Sequence, residues 1–214
     1  MGQKINPTNF RLETGPQSPH WQSSWFAPKH GYSKLLLEDK RIRDFVEKKL
    51  SSAGIVAIRI DRSIKKIKLT IIVNRPGLVI GRGGKELESL KASLLKIISL
   101  PKGPKINFDI QVEEFKQADL SAKLIAEKIA YQLTKRMPYR RVVLSAIERS
   151  IGAGAKGVKV VLSGRINGAE ISRREKFSQG TIPLSSIKRR IDYHQCPSLT
   201  RSGYIGVKVY LCLV

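Results

Sequence analysis

Residues 75–85 read RPGLVIGRGGK, and this stretch decides how the first half of the chain is interpreted. Its loop, Gly81-Arg82-Gly83-Gly84, stands between two runs rich in β-branched residues and a following amphipathic run. Glycines lack the side chains that would keep a backbone away from a sugar-phosphate chain, and the amides that begin the next helix face such a ligand. A G-x-x-G loop alone is also a common tight turn. In this context, with Lys85 directly after the glycines, the loop favours RNA contact.

The residues around this loop predict its secondary-structure setting. A helix is expected over 33–53, strands over 55–60 and 67–73, a helix over 85–98 and, after a break at 100–104, a strand over 105–112. The predicted order is helix, two strands, short helix, G-x-x-G loop, helix and strand, and a G-x-x-G loop is the element with which KH modules clamp about four nucleotides. The expected apolar side of the first helix consists of Leu36, Ile42, Phe45, Val46 and Leu50.

The second half of the chain predicts an α+β domain of two helices packed on an antiparallel sheet. An amphipathic helix is expected over 118–137 with Asp119 as its N-cap, and a second helix over 140–151 follows Pro138. Apolar residues then alternate from 158 to 162 and from 205 to 213, as in half-buried strands, with further strands expected between 169 and 193. The predicted organisation is an extended arm over 1–30, a KH domain over 31–115 and the α+β domain over 116–214.

Charge limits the classes of partner. The formal net charge is +23, the pI is about 10.3, and residues 1–116 and 117–214 both carry an excess of Lys and Arg. Such a field favours a polyanion, because binding phosphates releases their counterions. An anionic membrane surface is the main alternative. The N-terminus lacks the apolar run of a secretory signal, so a cytosolic location, or the interior of an organelle, is expected.

Basic clusters are the candidate contacts of the second half. Lys135, Arg136, Arg140 and Arg141 surround Pro138, where phosphate contact competes with an ordinary solvated helix face. Two further clusters leave the same alternatives open; they are Arg173-Arg174 with Lys176, and Lys188-Arg189-Arg190.

The residue patterns of metal sites, nucleotide loops and catalytic groups are not met. Cys196 and Cys212, with His194, do not supply a four-ligand metal site, and no cofactor is predicted. Glu86 stands where a P-loop requires Ser or Thr. A literal G-x-G-x-x-G at 152–157 follows a helix and leads into a strand, which is the reverse of the dinucleotide-binding order. We therefore predict a protein that is not an enzyme and has no small-molecule substrate.

The chain resembles the S3 family of small-subunit ribosomal proteins along nearly its whole length. The stretches that carry the resemblance are MGQK (1–4), RL (11–12), WF (25–26), RPGLVIG (75–81), AKL (122–124), QL (132–133), RR (140–141), GAKG (154–157), SGR (163–165), GAEI (168–171) and IGVKV (205–209).

The resemblance implies a type II KH domain, a place on the head of the small subunit, and ribosomal RNA, messenger RNA and neighbouring head proteins as partners. It also implies that Arg140 and Arg141 line the channel through which messenger RNA enters. The family often has a basic residue where this chain has Leu144, and usually Gly where it has Glu13. Further RNA-binding residues implied in this way are Lys4, Arg11, Arg75, Lys156 and Arg165.

Two other functions remain open at the level of sequence. A free KH-type regulator of messenger RNA would share the G-x-x-G loop without requiring the second domain. A nucleic-acid-processing enzyme would require a general base or metal ligands that the sequence patterns do not show.

Overall fold

The structure, a computed structural model, describes residues 4–11, 21–63, 66–97 and 107–213. These residues form two units, one made of 21–116 and one made of 4–11 together with 117–213. Each unit buries its own apolar core. The predicted break at 100–104, as well as Glu13, lies outside the described residues.

The first unit has the predicted order of a KH domain. Three helices accompany a four-stranded sheet in the order β1-β2-β3-β4, in which β2 and β3 are antiparallel and β3 and β4 are parallel. The two-residue strand β1, which runs parallel to β2, was not predicted, because two residues show no periodicity. The elements are β1 (Ser23–Ser24), α1 (Lys29–Lys49), β2 (Ile55–Arg62), β3 (Lys66–Val73), α2 (Pro76–Ile80), α3 (Lys85–Ile97) and β4 (Asn107–Glu114).

The first helix differs from its prediction in position and in its buried side. It starts and ends four residues earlier than expected, and a 3-10 turn at Ser51–Ala53 leads to Gly54, whose φ of 69° terminates the run. Leu36, assigned to the apolar side, is 50% exposed. Glu38 and Asp39 are buried instead. The other four residues of the predicted side, Ile42, Phe45, Val46 and Leu50, pack into the core as expected. Apolar periodicity failed only at the N-terminal end of this side, because the buried carboxylates there have partners that lie outside the helix.

A buried polar network ties the segment before α1 to the sheet. Asp39, only 2% exposed, accepts hydrogen bonds from Trp25 Nε1 at 2.8 Å and from Arg62 Nε at 2.8 Å. Arg62 also pairs with Glu38 at 3.1 Å. Arg43 donates to the carbonyl oxygen of Ile58 at 2.6 Å. Since buried charges require such compensation, the network determines how residues 22–25, α1 and β2 pack together.

The second unit confirms two helices followed by an antiparallel sheet. The strand order is β6-β5-β8-β7, and all neighbouring strands are antiparallel. Its core joins one face of this sheet to the buried sides of both helices. The elements are α4 (Ala122–Thr134), α5 (Tyr139–Gly152), β5 (Gly157–Gly164), β6 (Arg173–Gly180), β7 (Ile191–Thr200) and β8 (Gly203–Cys212).

The predicted helix over 118–137 is broken, and Asp119 is not its N-cap. A 3-10 turn occupies Ala118–Leu120, Ser121 is extended, and the α-helix begins only at Ala122. The carboxylate that accepts the Ala122 N–H, at 2.8 Å, belongs to Asp192 on β7. A helix start that is stabilised from a distant strand leaves no signal in the local sequence.

We predict that Asp39→Ala strongly destabilises the first unit. The substitution leaves Arg62 buried with one fewer anion, and breaking a buried pair in this way costs about 3–5 kcal/mol. Trp21 and Trp25 are the only tryptophans of the chain and both belong to this unit, so urea unfolding followed by tryptophan fluorescence reports on it.

Asp44→Ala is the matched control, because Asp44 is an exposed aspartate on the same helix. Its free energy of unfolding should stay within about 0.5 kcal/mol of the parent protein. Equal unfolding midpoints for the two variants would show that the Asp39 network does not stabilise the unit.

Candidate nucleic-acid interface

The G-x-x-G loop lies between α2 and α3 with its backbone uncovered. Gly81, Gly83 and Gly84 have φ values of 70°, 65° and 78°, a region that side chains disfavour. A Cβ on Gly81 would lie 2.6 Å from Cγ of Glu86, so glycine is required there on both counts. A Cβ on Gly83 or Gly84 would meet no heavy atom within 4 Å. The far half of the loop therefore has free space around its backbone, which a ligand can approach.

Cations surround this loop. Arg75, Arg82 and Lys85 are all exposed. Lys85 is the first residue of α3, a helix of 13 residues whose N-terminal amides follow the loop directly. Glu86 and Glu88 lie in the same first turn, so the cations have acidic neighbours. The arrangement provides backbone amides and side-chain cations for a phosphate.

A second group of predicted residues lies where α4 ends and α5 begins. The residues that the structure brings together here, all exposed, are Lys135, Arg136, Arg140 and Arg141. The end of α4 is closed by hydrogen bonds from Arg136 N to Leu133 O at 2.9 Å and from Met137 N to Gln132 O at 3.2 Å. These two bonds form a Schellman motif, which places Arg136 in the left-handed conformation with φ of 59°.

Arg140 is held in position by its neighbours, unlike a freely rotating surface arginine. Its Nε donates to the Tyr139 hydroxyl at 3.2 Å, and that hydroxyl donates to Glu175 Oε1 at 3.1 Å. The hydrogen bond to Tyr139, together with the charge of Glu175, raises the pKa of Arg140. Arg173 Nε contacts the same Glu175 oxygen at 3.0 Å. This chain of contacts holds one guanidinium at the start of α5.

Arg11 has a structural environment. It is 7% exposed and donates to the carbonyl oxygens of Pro7 at 2.9 Å, Leu184 at 2.8 Å and Ser186 at 3.0 Å. These bonds join residues 7–11 to the segment between β6 and β7. The geometry gives Arg11 a role in folding, and its predicted RNA contact gains no support.

The remaining predicted residues are exposed and, apart from Arg165, which lines one cavity together with Arg136, they are dispersed. Lys156 lies just before β5, and Arg173 and Arg174 lie on the edge strand β6. Arg165 directs its Nε to Ala169 O at 2.9 Å. The other dispersed residues are Lys4 and the three cations between β6 and β7, Lys188, Arg189 and Arg190.

The outer face of the second sheet carries three lysines, of which Lys176 was predicted as part of a basic cluster, whereas Lys159 and Lys208 were not predicted as contacts. Lys176 and Lys208 flank Val161 from the neighbouring strands, and Lys159 lies opposite Tyr210. Burial lowers the pKa of Lys159, and the charges of nearby cations, Lys4 among them, lower it further. The sequence feature that could have predicted this basic face is the presence of lysines at the polar positions of strands with alternating apolar residues. Like charges this close favour an anion on the face.

Other kinds of site find no support in the described part of the chain. Among its residues, no group of three or more His, Cys, Asp or Glu side chains could hold a metal ion. None of the helices described is long and apolar enough to cross a membrane.

Comparisons with known proteins identify the family of the chain. A family model of the KH domain matches residues 41–120, and one of ribosomal protein S3, C-terminal domain, matches residues 129–211. Small ribosomal subunit protein uS3 of Shouchella clausii is 43% identical over 99% of this chain and 92% of that protein. The uS3 proteins of Clostridium perfringens and Dictyoglomus turgidum are 44% and 45% identical over 99% of this chain, and over 91% and 83% of their own lengths. The chain belongs to the ribosomal protein S3 family.

Proposed function

We propose that this chain is a structural component of the small ribosomal subunit, where it binds ribosomal RNA and lines the channel through which messenger RNA enters. Its place is on the subunit head, next to other head proteins. The observation that carries the proposal is the pair of exposed basic sites, the G-x-x-G loop and the α4–α5 junction, on units that match the two family models. The role is binding and needs no catalytic group.

The G-x-x-G loop supplies an RNA contact of the first unit. Open space at Gly83 and Gly84 lets a sugar-phosphate backbone come close, and Arg82 and Lys85 supply the opposite charge. Contacts of this kind recognise the backbone and carry little sequence information.

The α4–α5 junction supplies the contact with messenger RNA. Arg140 is held by Tyr139 and Glu175, whereas Arg141 next to it is exposed at the start of the helix. One helical turn further on, Leu144 is 49% exposed and adds no charge. Arg140 and Arg141 are therefore the cations of this site on α5, and both attract the phosphates of a single strand in the channel.

We expect the protein to sediment with the small subunit at about one copy per particle. The measurement is quantification of the protein across a sucrose gradient of cell lysate, at low and at moderate salt. A protein that stays at the top of the gradient with small RNAs would instead be a free KH-type regulator, and the channel role would be lost with the ribosomal one.

We predict that Arg82→Asp with Gly83→Asp weakens RNA binding by about tenfold or more, because two carboxylates then face phosphate. The measurement is the affinity of the purified protein for single-stranded RNA at physiological salt. Arg82→Asn with Gly83→Asn is the matched control, since Asn tolerates positive φ and adds no charge. If the aspartate and asparagine variants bind equally well, repulsion at this loop does not decide affinity.

We predict that Arg140→Ala with Arg141→Ala slows translation of structured messages more than of unstructured ones. In parallel, the salt dependence of single-strand binding should fall by about 1.4 in slope, or about 0.7 for each lost phosphate contact. Arg149→Gln removes a charge further along the same helix and serves as the control. Equal slowing of both kinds of message would contradict the channel role.

A further inference from the structure

A cavity of about 370 Å³ opens at one end of the second unit. It lies where α4 meets α5 and where the segments after β5 and after β7 converge. Its floor is apolar, because its lining includes the fully or almost fully buried side chains of Leu133, Leu162, Ile166 and Ile205. Tyr139, which is 6% exposed, contributes an aromatic ring to the lining.

Three arginines line the same cavity from three different segments. Arg136 follows α4, Arg165 follows β5, and Arg201 lies in the turn between β7 and β8. All three are exposed, and none forms an ion pair with a carboxylate of the described residues. The hydroxyl group of Ser202 stands beside them. An apolar floor under a rim of guanidinium groups that form no ion pair with a described carboxylate fits a ligand that is flat and apolar at one end and anionic at the other.

The backbone gives a second, independent indication. Among the described residues, the only positions other than glycine with positive φ are Arg136 and Asn167, and both line this cavity. Arg136 occupies the Schellman position at which helices usually place glycine, because a side chain is strained there. Residues in such strained conformations persist because the surrounding structure enforces them, and they cluster at functional sites. Arg136 is thus kept in a position where glycine would fold at least as well.

We propose that this cavity binds one unstacked nucleotide of an RNA strand, with its base on the apolar floor beside Tyr139 and its phosphate among Arg136, Arg165 and Arg201. This inference rests on the proposed function and names a ligand for one end of the same site. A bare phosphate chain would leave the apolar floor uncovered, and an apolar peptide would leave the three arginines without an anion.

The position of the cavity supports a strand as the source of the nucleotide. Its lining includes Arg136, Met137 and Tyr139, which belong to the α4–α5 junction that also carries Arg140 and Arg141. A single strand held by those arginines passes the opening of the cavity. Unstacked bases in single strands and bulges are the parts of RNA that proteins read most readily.

The first experiment compares three short RNA duplexes with the purified full-length chain at physiological salt. One contains a single bulged uridine, one has an abasic residue in place of that uridine, and one is fully paired. We expect the bulged duplex to bind about tenfold more tightly than the abasic one, because burying and stacking one base contributes roughly that factor. Equal affinity for the bulged and abasic duplexes would overturn the proposal.

The second experiment uses Arg136→Gly. Glycine relieves the strain at φ of 59°, so the melting temperature should stay the same or rise, while the preference for the bulged duplex over the fully paired one, which presents no unstacked nucleotide, should shrink to about twofold. Arg149→Gln, which removes one charge from α5 away from the cavity, should keep the full preference. If Arg136→Gly keeps the full preference as well, Arg136 does not hold the phosphate and the site as proposed is wrong.

Two competitors identify the source of the ligand. If the nucleotide belongs to an RNA strand, uridine monophosphate should compete weakly and the unlabelled bulged duplex strongly. Strong competition by uridine monophosphate alone would show that the ligand is a free nucleotide, and the proposal of an RNA strand would be wrong. If an acidic peptide displaces the bulged and the abasic duplex equally well, the occupant of the cavity is an acidic protein segment and not a nucleotide. In the case of base-independent binding, affinity for RNA persists and the proposed function survives the failure of this inference.

Discussion

Mutual repulsion of cations is the constraint on which the rest of this structure depends. The chain has 40 Lys and Arg against 17 Asp and Glu, so there are few carboxylates with which to neutralise the surface. Several of those few do structural work: Asp39 holds the segment before α1, Asp192 begins α4, and Glu175 positions Tyr139 and Arg140. Because these acids are engaged internally, the cations around the two candidate sites face outward and are only partly offset by acidic neighbours such as Glu86 and Glu88. The folded protein therefore gains stability when a polyanion binds.

Backbone geometry and charge meet at both candidate sites. In the first unit, glycines at positive φ uncover the chain so that phosphate can approach it, and Arg82 stands within that loop. At the α4–α5 junction the opposite is found: Arg136 has a positive φ that favours glycine, yet it carries a side chain, and its guanidinium lines the cavity. Positive φ values therefore occur at both candidate sites, at glycines that leave the backbone accessible in the first unit and at an arginine in the second.

Particular residues show how far prediction from sequence reached. The G-x-x-G loop, the break at Pro138 and the alternating strands were located correctly, because each depends on residues that are adjacent in the chain. Leu36 was assigned to the core and Asp119 to a cap, and both assignments were wrong, since the deciding partners come from elsewhere in the fold. The cations at 159, 176 and 208 form one surface only through strand register, which the sequence does not state.

The order of helices and strands, the positions of the loop glycines and the net charge of +23 could all be predicted from the residues alone, and through them the class of partner. These properties depend on neighbouring residues or on a sum over the chain, so they can be predicted without knowing which residues are in contact in the folded protein. The tertiary structure decided which carboxylate begins α4, that Arg11 is buried, and that Arg136, Arg165 and Arg201 converge on one apolar cavity. Those outcomes depend on contacts between residues tens of positions apart, and the packing of the second core, not any local pattern, brings them together.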